Sequence, residues 1–233
     1  SSDYYKAVFH LLKYPGKDTE NALLKLVESE GNDQALVIAR RKAIEGLARL
    51  RCVSAIPSIG LCLKSDDPYL VENAAWALKE LGCNNHFLHK EISNLLLDPR
   101  QNRRVLIQSL LGMGAVSEIS HIKPFAEDIN ASPGIRGASI AAISRMTGES
   151  NLTSELESFL FLPNQNDRQC AVQDVIDSGV IDLLPLVLRS PIAPSFRLRA
   201  VSSMWPDDNP LIDGHDLLDS IDRIMIDDPS SLE

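Results

Sequence analysis

The sequence predicts an all-α protein, a right-handed solenoid in which short helical hairpins stack side by side. Three observations lead to this prediction. Apolar residues recur every three or four positions, a similar segment returns about every 32 residues, and no stretch alternates polar and apolar residues as a half-buried strand would. A hairpin of this kind buries its apolar face against its neighbours, so its stability depends on the stack.

The repeat is defined by Val71 in "DDPYLVENAAWALKELG" (66–82). Residues three, six and seven positions after it share one helical face. Across six copies the sixth position is small in five, and the seventh is apolar in all six, which indicates closely approaching helices. The equivalent positions, spaced by 29 to 33 residues, are Arg40, Val71, Arg103, Arg136, Arg168 and Arg197. A weaker copy, "DYYKAVFHLL", precedes them.

A second amphipathic segment precedes each register helix and completes a hairpin. The predicted helix pairs, in chain order, are 18–29 with 35–51, 54–64 with 68–82, 86–97 with 102–114, 117–128 with 134–147, 151–162 with 166–178, and 180–189 with 195–204. The acidic, amphipathic segment "DGHDLLDSIDRIMIDD" follows, and we expect it either to cap the stack or to dock a partner.

Composition narrows the class of partner. A net charge of −9 over 233 residues argues against nucleic acid or an anionic membrane surface as the main partner. No run of about 18 apolar residues is present, which predicts no membrane insertion. The four cysteines form no C-x-x-C pair, so we expect free thiols in a reducing compartment. We expect one repeat domain over residues 1–233, and the absence of an initial Met suggests that an N-terminal segment is missing.

The pattern D-P-x-h-x-x-x-A-x-x-A-L-x-x-h-G, in which h is apolar, resembles the HEAT-like repeat. The register Arg in five of six copies fits that repeat, and Val71 departs from it. A more particular resemblance is carried by "LPNQNDRQCAVQDVIDSG" and "NPLIDGHDLLDSID", together with "NRRVLIQSLLGMG" and the segment from Arg40 to Gly82. These stretches resemble the E/F-type bilin lyases of cyanobacteria, and the resemblance covers essentially the whole chain.

The resemblance implies a phycobilin lyase, or one lyase subunit. Such an enzyme joins a linear tetrapyrrole, a bilin, to a cysteine of a phycobiliprotein α or β subunit through a thioether bond. It implies a chromophore substrate and no permanently bound cofactor, with a second lyase subunit as a further partner. It also implies the cyanobacterial cytosol or the plastid stroma, where phycobilisomes serve photosynthesis. The alternatives are a non-catalytic scaffold or chaperone for a phycobiliprotein subunit, and a general protein-interaction solenoid.

The candidate substrate-binding residues lie on or beside the register helices, mainly one and five positions after the register. Bilin propionates favour guanidinium groups, pyrrole N–H groups favour carboxylates, and the rings favour aromatic or apolar walls. The alternative interpretation of these residues is a solvated face. Trp76 is the exception, because an indole at an outward-facing position suggests a ligand or a partner. The candidates are Glu72, Asn73, Trp76, Arg103, Arg104, Gln108, Asp167, Arg168, Gln169, Cys170 and Gln173.

Asp174 is the candidate catalytic residue because it occupies the sixth position, which the other copies keep small and neutral. It is predicted either to donate a proton or bind pyrrole N–H groups, or to form a structural ion pair with an Arg of a neighbouring repeat. Cys170 is either a transient carrier of the bilin or a small buried residue. Asp167 has a second interpretation as a helix cap. Cys83, His86 and His89 have zinc-like spacing without an evident fourth ligand, and we assign no metal.

Overall fold

The computed structural model describes residues 2–31, 33–205 and 214–227, and every regular element among them is a helix. The α-helices are α1 Ser2–Leu11, α2 Lys17–Val27, α3 Gln34–Arg49, α4 Ile56–Leu61, α5 Pro68–Glu80, α6 His86–Leu95, α7 Arg103–Gly112, α8 Ile119–Glu127, α9 Pro133–Thr147, α10 Ser154–Phe159, α11 Gln165–Ser178, α12 Leu184–Arg189, α13 Pro194–Met204 and α14 Gly214–Asp227. Within these ranges no helix combines the length and the apolar character needed to span a bilayer.

The predicted hairpins are confirmed, and most helix ends fall within a few residues of their expected positions. The first helices are the less regular members of the pairs. Three of them, α4, α8 and α12, are entered through 3₁₀ turns at Val53–Ala55, Val116–Glu118 and Ile181–Leu183. The helix predicted over 151–162 is shorter than expected, because α10 forms only over Ser154–Phe159. Periodicity locates such a helix but does not report where a tighter turn replaces it.

The chain divides into two compact units, Ser1–His121 and Ile122–Glu233. In the first unit the register helices α3, α5 and α7 pack one on the next, and α1 packs on α3. In the second unit α9 packs on α11, and α11 on α13. The first helix of most hairpins packs on its own partner, as α2 does on α3 and α12 on α13. This packing confirms an all-α fold of stacked helical hairpins.

The three positions of the repeat face form the core. The third and seventh positions after the register are buried in all six copies, and the sixth is buried in five, with Ser203 as the exposed exception. Small residues at the sixth position permit close helix approach. At Gly46, a Cβ atom would lie 2.8 Å from Leu12 Cδ2. Fully buried leucines such as Leu47 and Leu78 occupy the seventh position. Apolar burial of this kind stabilises the fold by about 1.5–3 kcal/mol for each large side chain.

The register arginines share one structural role. Each donates a hydrogen bond to a carbonyl at or near the end of the preceding helix, where carbonyl groups lack partners within the helix. The pairs are Arg40 Nε with Val27 O at 3.0 Å, Arg103 Nε with Leu96 O at 2.9 Å, Arg136 Nε with Ala126 O at 3.0 Å, Arg168 Nη1 with Leu162 O at 2.6 Å, and Arg197 Nη1 with Leu188 O at 3.2 Å. Val71, which replaces the arginine in one copy, is fully buried.

Five of the six register helices end in a left-handed residue, which is glycine in four of them; α13 is the exception. Gly82, Gly114, Gly148 and Gly179 have φ between 64° and 76°. At the end of α3 the same position is taken by Arg51, with φ 57°. An L-residue pays a conformational cost there that glycine avoids. The Arg51 side chain donates to Glu80 O at 2.5 Å, so it links the ends of two successive register helices.

Candidate functional site

A row of half-buried polar side chains follows the register helices. The positions one and five residues after the register are neither core nor fully exposed in four of the six copies. In the first unit these residues are Arg41 and Glu45 on α3, Glu72 and Trp76 on α5, and Arg104 and Gln108 on α7, while Gln169 and Gln173 are the equivalents on α11 in the second unit. We name these eight residues the polar row. In α9 the same positions are Gly137 and Ala141, and both are buried.

Trp76 and Glu72 are the two residues of the polar row on α5. Glu72 is one turn before Trp76 on the same helical face, and both side chains are half-buried. Asn73 is also half-buried, and its Nδ2 donates to Tyr69 O at 2.7 Å, so its side chain folds back on its own helix. The indole and the carboxylate therefore offer one aromatic surface and one acceptor, two of the three groups that a tetrapyrrole requires.

Next to this portion, the start of α5 forms a pocket that sequence reasoning missed. Its volume is 410 Å³, and it is lined by Gln34, Val37, Ile38, Arg41, Asp67, Pro68 and Tyr69. The guanidinium carbon of Arg41 lies 4.8 Å from the ring centroid of Tyr69, and Arg41 Nη2 donates to Asp67 Oδ1 at 2.6 Å. Asp67 also caps α5 by accepting from Leu70 N.

The chemistry of this pocket suits a flat, conjugated anion. The Tyr69 ring is 63% exposed and remains available for stacking, and the Arg41 guanidinium is held over it. A guanidinium stacked on an aromatic ring keeps outward N–H groups for a carboxylate. The sequence contains both parts of this pocket: the segment "DDPY" at the start of α5, and Arg41, one position after the register of the previous copy. That these parts lie together follows only once α3 and α5 are known to pack on each other.

Two predicted binding arginines have structural partners. Arg103 donates to Leu96 O, as described above, and Arg168 donates hydrogen bonds to three backbone carbonyl groups. The Arg168 contacts are Nη1 to Leu162 O at 2.6 Å, Nη1 to Pro163 O at 2.7 Å, and Nε to Pro191 O at 3.0 Å. These bonds fix the segments that follow α10 and α12. A role for either arginine in substrate binding stays a prediction.

Asp174 lies where α11 packs against α9. Its side chain has no exposed surface. A Cβ atom built on Gly137 would come within 2.3 Å of Asp174 Oδ2 and 3.5 Å of a Phe159 ring carbon. The glycine on α9 thus provides the space that the carboxyl group of α11 fills. The catalytic role stays a prediction, and the contact itself explains how a carboxyl group replaces a small residue at this position.

The other predicted residues of α11 are less buried than Asp174. Gln169, Cys170 and Gln173 are half-buried, and Gln173 Nε2 donates to Asp177 Oδ1 at 2.7 Å. Asp167 lies in the first turn of the helix and is not its N-cap. The cap is Asn164, whose Oδ1 accepts from Asn166 N at 2.8 Å. The predicted cap was wrong because α11 begins at Gln165, so Asp167 is already the third residue of the helix.

A buried carboxylate network in the first unit was also missed. Glu118 is only 6% exposed, and it accepts hydrogen bonds from Ser93 Oγ at 2.7 Å and Ser117 Oγ at 3.0 Å. His121 Nδ1 lies 3.5 Å from Glu118 Oε2. Burial alone would raise the pKa of Glu118, but the two serine hydroxyls, assisted by His121 and His89, outweigh it and lower the pKa.

The zinc-like trio forms a different arrangement. His89 is buried, and its Nε2 hydrogen-bonds with Cys83 O, at 3.0 Å, so the contact is to the backbone and not to the thiol. The rings of His86 and His89 meet edge to face, with centroids 5.7 Å apart. Burial raises the pKa of the Cys83 thiol. Within the ranges that the structure describes, no group of three potential ligands converges on a metal position.

Comparison with known proteins gives relatives over the whole chain. No family model matches the chain. It is 38% identical, over 99% of its length, to the bilin biosynthesis protein CpeY of Synechococcus sp. (strain WH8020). It is 32% identical, over 98% of its length, to the uncharacterized phycocyanin operon protein Y of Pseudanabaena tenuis (strain PCC 7409). The chain spans about half the length of these curated relatives, at 55% and 54%.

A solved structure shares the fold. A chain in the complex of CpcE and CpcF of phycocyanin lyase from Nostoc sp. PCC7120 superposes with a TM-score of 0.77, at 23% identity, over 96% of this chain and 91% of the other. The helical-repeat architecture is therefore common to both proteins. The chain is therefore similar in sequence, along nearly its whole length, to about half of a bilin biosynthesis protein, and similar in fold to a chain of a phycocyanin lyase complex.

Proposed function

We propose that this chain is a bilin lyase, or a subunit of one, that attaches a linear tetrapyrrole to a cysteine of a phycobiliprotein. The observation that carries the proposal is its 38% identity, over 99% of its length, to a protein named for bilin biosynthesis. The proposal includes a second lyase subunit as partner, because a solved structure with this fold is a complex of CpcE and CpcF. It also includes the cyanobacterial cytosol or a plastid stroma as the location.

The proposed reaction is an addition that needs no nucleophile from the lyase. The acceptor thiolate adds its sulfur to the ethylidene group of ring A, and a proton is delivered to the other carbon of the former double bond. No group leaves and no oxidant or reductant is consumed. The lyase therefore contributes mainly by binding the bilin in one orientation and presenting ring A to one thiol.

The polar row and its neighbouring pocket supply groups suited to that task. We propose Trp76 and Tyr69 as aromatic walls, Arg41 as a propionate partner, and Glu72 as an acceptor for pyrrole N–H groups. Arg104 and Gln108 on α7, which packs on α5, extend the same set. Arg41 is shared with Asp67, so a propionate would compete for a guanidinium that is already oriented by Asp67.

Asp174 is proposed as the proton-donating residue, with a condition set by its burial. A side chain with no exposed surface reaches ring A only if the contact between α9 and α11 opens. Cys170, one helical turn earlier and half-buried, is the thiol nearest in sequence. A variant that keeps the volume of Asp174 while removing its charge distinguishes chemistry from packing.

The test is co-expression of the protein with bilin-forming enzymes, candidate phycobiliprotein subunits and the candidate partner lyase subunit. We expect bilin fluorescence on the acceptor to survive a denaturing gel, because a thioether persists there. Asp174→Asn should reduce covalent transfer at least tenfold without changing the far-UV circular dichroism, and Glu157→Gln, at an exposed carboxylate on α10, should transfer normally. Association of the protein with an acceptor subunit, without any covalent colour, would favour the scaffold or chaperone instead.

A further inference from the structure

A second pocket, in the second unit, is lined by three arginines. It has a volume of 480 Å³ and lies between α12, α13 and α14. Its lining residues are Leu188, Arg189, Pro194, Arg197, Ser220, Arg223 and Ile224. Each of the three helices contributes one guanidinium group. The pocket is separate from the polar row, and neither sequence reasoning nor the proposed lyase chemistry uses it.

Among the residues that the structure describes, the arginines of this pocket have no carboxylate partners. None of the three takes part in an ion pair within the described ranges, although the chain as a whole carries a net charge of −9. Arg189 Nε and Arg197 Nη1 donate only to backbone carbonyls, at 3.2 Å each. Arg197 Nε is buried and has no hydrogen-bond partner, so a donor is left unsatisfied at the pocket. Such a donor costs free energy unless something accepts from it.

Three like charges at one pocket oppose each other, and an anion between them removes that repulsion. The remaining lining narrows the ligand class. Leu188, Pro194 and Ile224 contribute apolar surface, and the volume falls in the range of small-molecule sites. We propose that this pocket binds a small organic oxyanion with at least two negative charges, carried by carboxylate or phosphate groups.

The two sources of that chemistry are separable by choice of probe. A linear tetrapyrrole with two free propionates represents the carboxylate source, its dimethyl ester removes the charges, and inorganic pyrophosphate represents the phosphate source. Titration calorimetry or fluorescence on the full protein measures each affinity at low and at physiological salt. Binding should weaken as salt rises, because the contacts are ionic.

Arg189 and Arg223 are the residues to vary, because both are exposed and Arg197 also holds a helix end. Arg189→Gln and Arg223→Gln should each weaken the bound probe about tenfold or more, as expected for losing a charge-assisted hydrogen bond. Arg199→Gln, on an exposed α13 arginine outside the pocket, should stay within about twofold of wild type.

The outcomes decide the proposal and its source. Tetrapyrrole binding that is lost on esterification and weakened by Arg189→Gln and Arg223→Gln assigns the pocket to carboxylates, and pyrophosphate binding weakened by the same variants assigns it to phosphates. The proposal is overturned if both variants bind both probes as tightly as the wild type does, or if all three variants weaken binding equally. If Arg189→Gln and Arg223→Gln still bind the tetrapyrrole and still support its covalent transfer, this proposal fails while the proposed lyase activity stands.

Discussion

Placing a methyl group between α9 and α11 should destabilise the second unit, and the cost should depend on Asp174. The change is Gly137→Ala. Its Cβ atom would lie 2.3 Å from Asp174 Oδ2 and 3.1 Å from Asp174 Cγ, where ordinary contact begins near 3.4 Å. The overlap is therefore about 1 Å, and the carboxyl group has no exposed surface into which it can swing.

The magnitude follows from two terms of opposite sign. Overpacking a closely packed contact costs about 1–3 kcal/mol, whereas replacing glycine by alanine within a helix gains about 0.5–1 kcal/mol. In the Asp174→Ala background the clash is gone, so only the gain remains. The effect of Gly137→Ala should therefore differ between the two backgrounds by about 1–3 kcal/mol, with destabilisation in the wild type and slight stabilisation in the variant.

Chemical denaturation, followed by far-UV circular dichroism, measures this coupling in four proteins: the wild type, Gly137→Ala, Asp174→Ala and the double variant. Gly137→Ala in the Asp174→Asn background is the control, because asparagine keeps the volume and should keep the clash. Equal destabilisation by Gly137→Ala in the wild-type and Asp174→Ala backgrounds would refute the reasoning. The carboxyl group would then not be what occupies the space beside the glycine.

Four further predictions concern other features. Trp76→Ala should weaken binding of a free bilin by about 1–2 kcal/mol in a fluorescence titration, because one aromatic wall is lost. Ser93→Ala should lower the free energy of unfolding by about 1–3 kcal/mol at neutral pH. Because the folded pKa of Glu118 is lowered, this difference should be full above the ordinary carboxyl pKa of about 4.3 and shrink as the pH falls through the folded value. Gly114→Ala should cost about 1–2 kcal/mol in thermal or chemical unfolding, because φ is 64° although no atom lies within 4 Å of the new Cβ. Cys170 should be the first thiol alkylated in the native protein, as detected by mass spectrometry, because the other three are buried.

Each of these has a control within the chain. Trp205→Ala removes the other indole and should leave bilin affinity unchanged, whereas equal losses for both tryptophans would count against Trp76 as a wall. Ser120→Ala, at an exposed serine, should have no pH-dependent effect on unfolding. Gly82→Ala, at a second left-handed glycine with nothing within 4 Å of the new Cβ, should cost about as much as Gly114→Ala, and a neutral effect at both positions would contradict the helix-end argument. Alkylation of Cys52 before Cys170 would contradict the order of thiol exposure.

The hairpins and their core face were predictable because both depend on local periodicity. Positions such as Ala74 and Leu78 share a helical face irrespective of the tertiary structure, and the same pattern recurs in six copies of the repeat. The helix cap was less predictable, since Asn164 and Asp167 are both good candidates and only the backbone decides between them.

The parts that escaped prediction depend on residues distant in sequence. Ser93 and Glu118 are 25 positions apart, and nothing in either segment indicates that their side chains meet. The same applies to Tyr69 and Arg41, which come from neighbouring register helices. The role of the register arginines was missed for another reason. A charge that recurs at helix starts suggests a ligand-binding group, whereas in the structure its partner is a backbone carbonyl.

Those arginine bonds bear on how such a protein can change its length. They join residues only 6 to 13 positions apart, so five of the six hairpins are closed by a contact that lies within the hairpin and needs little loop-closure entropy. A hairpin closed in this way can be duplicated or removed in register while the remaining hairpins keep their own arginine–carbonyl bonds. A protein built from such hairpins can therefore gain or lose repeats without redesign of each hairpin.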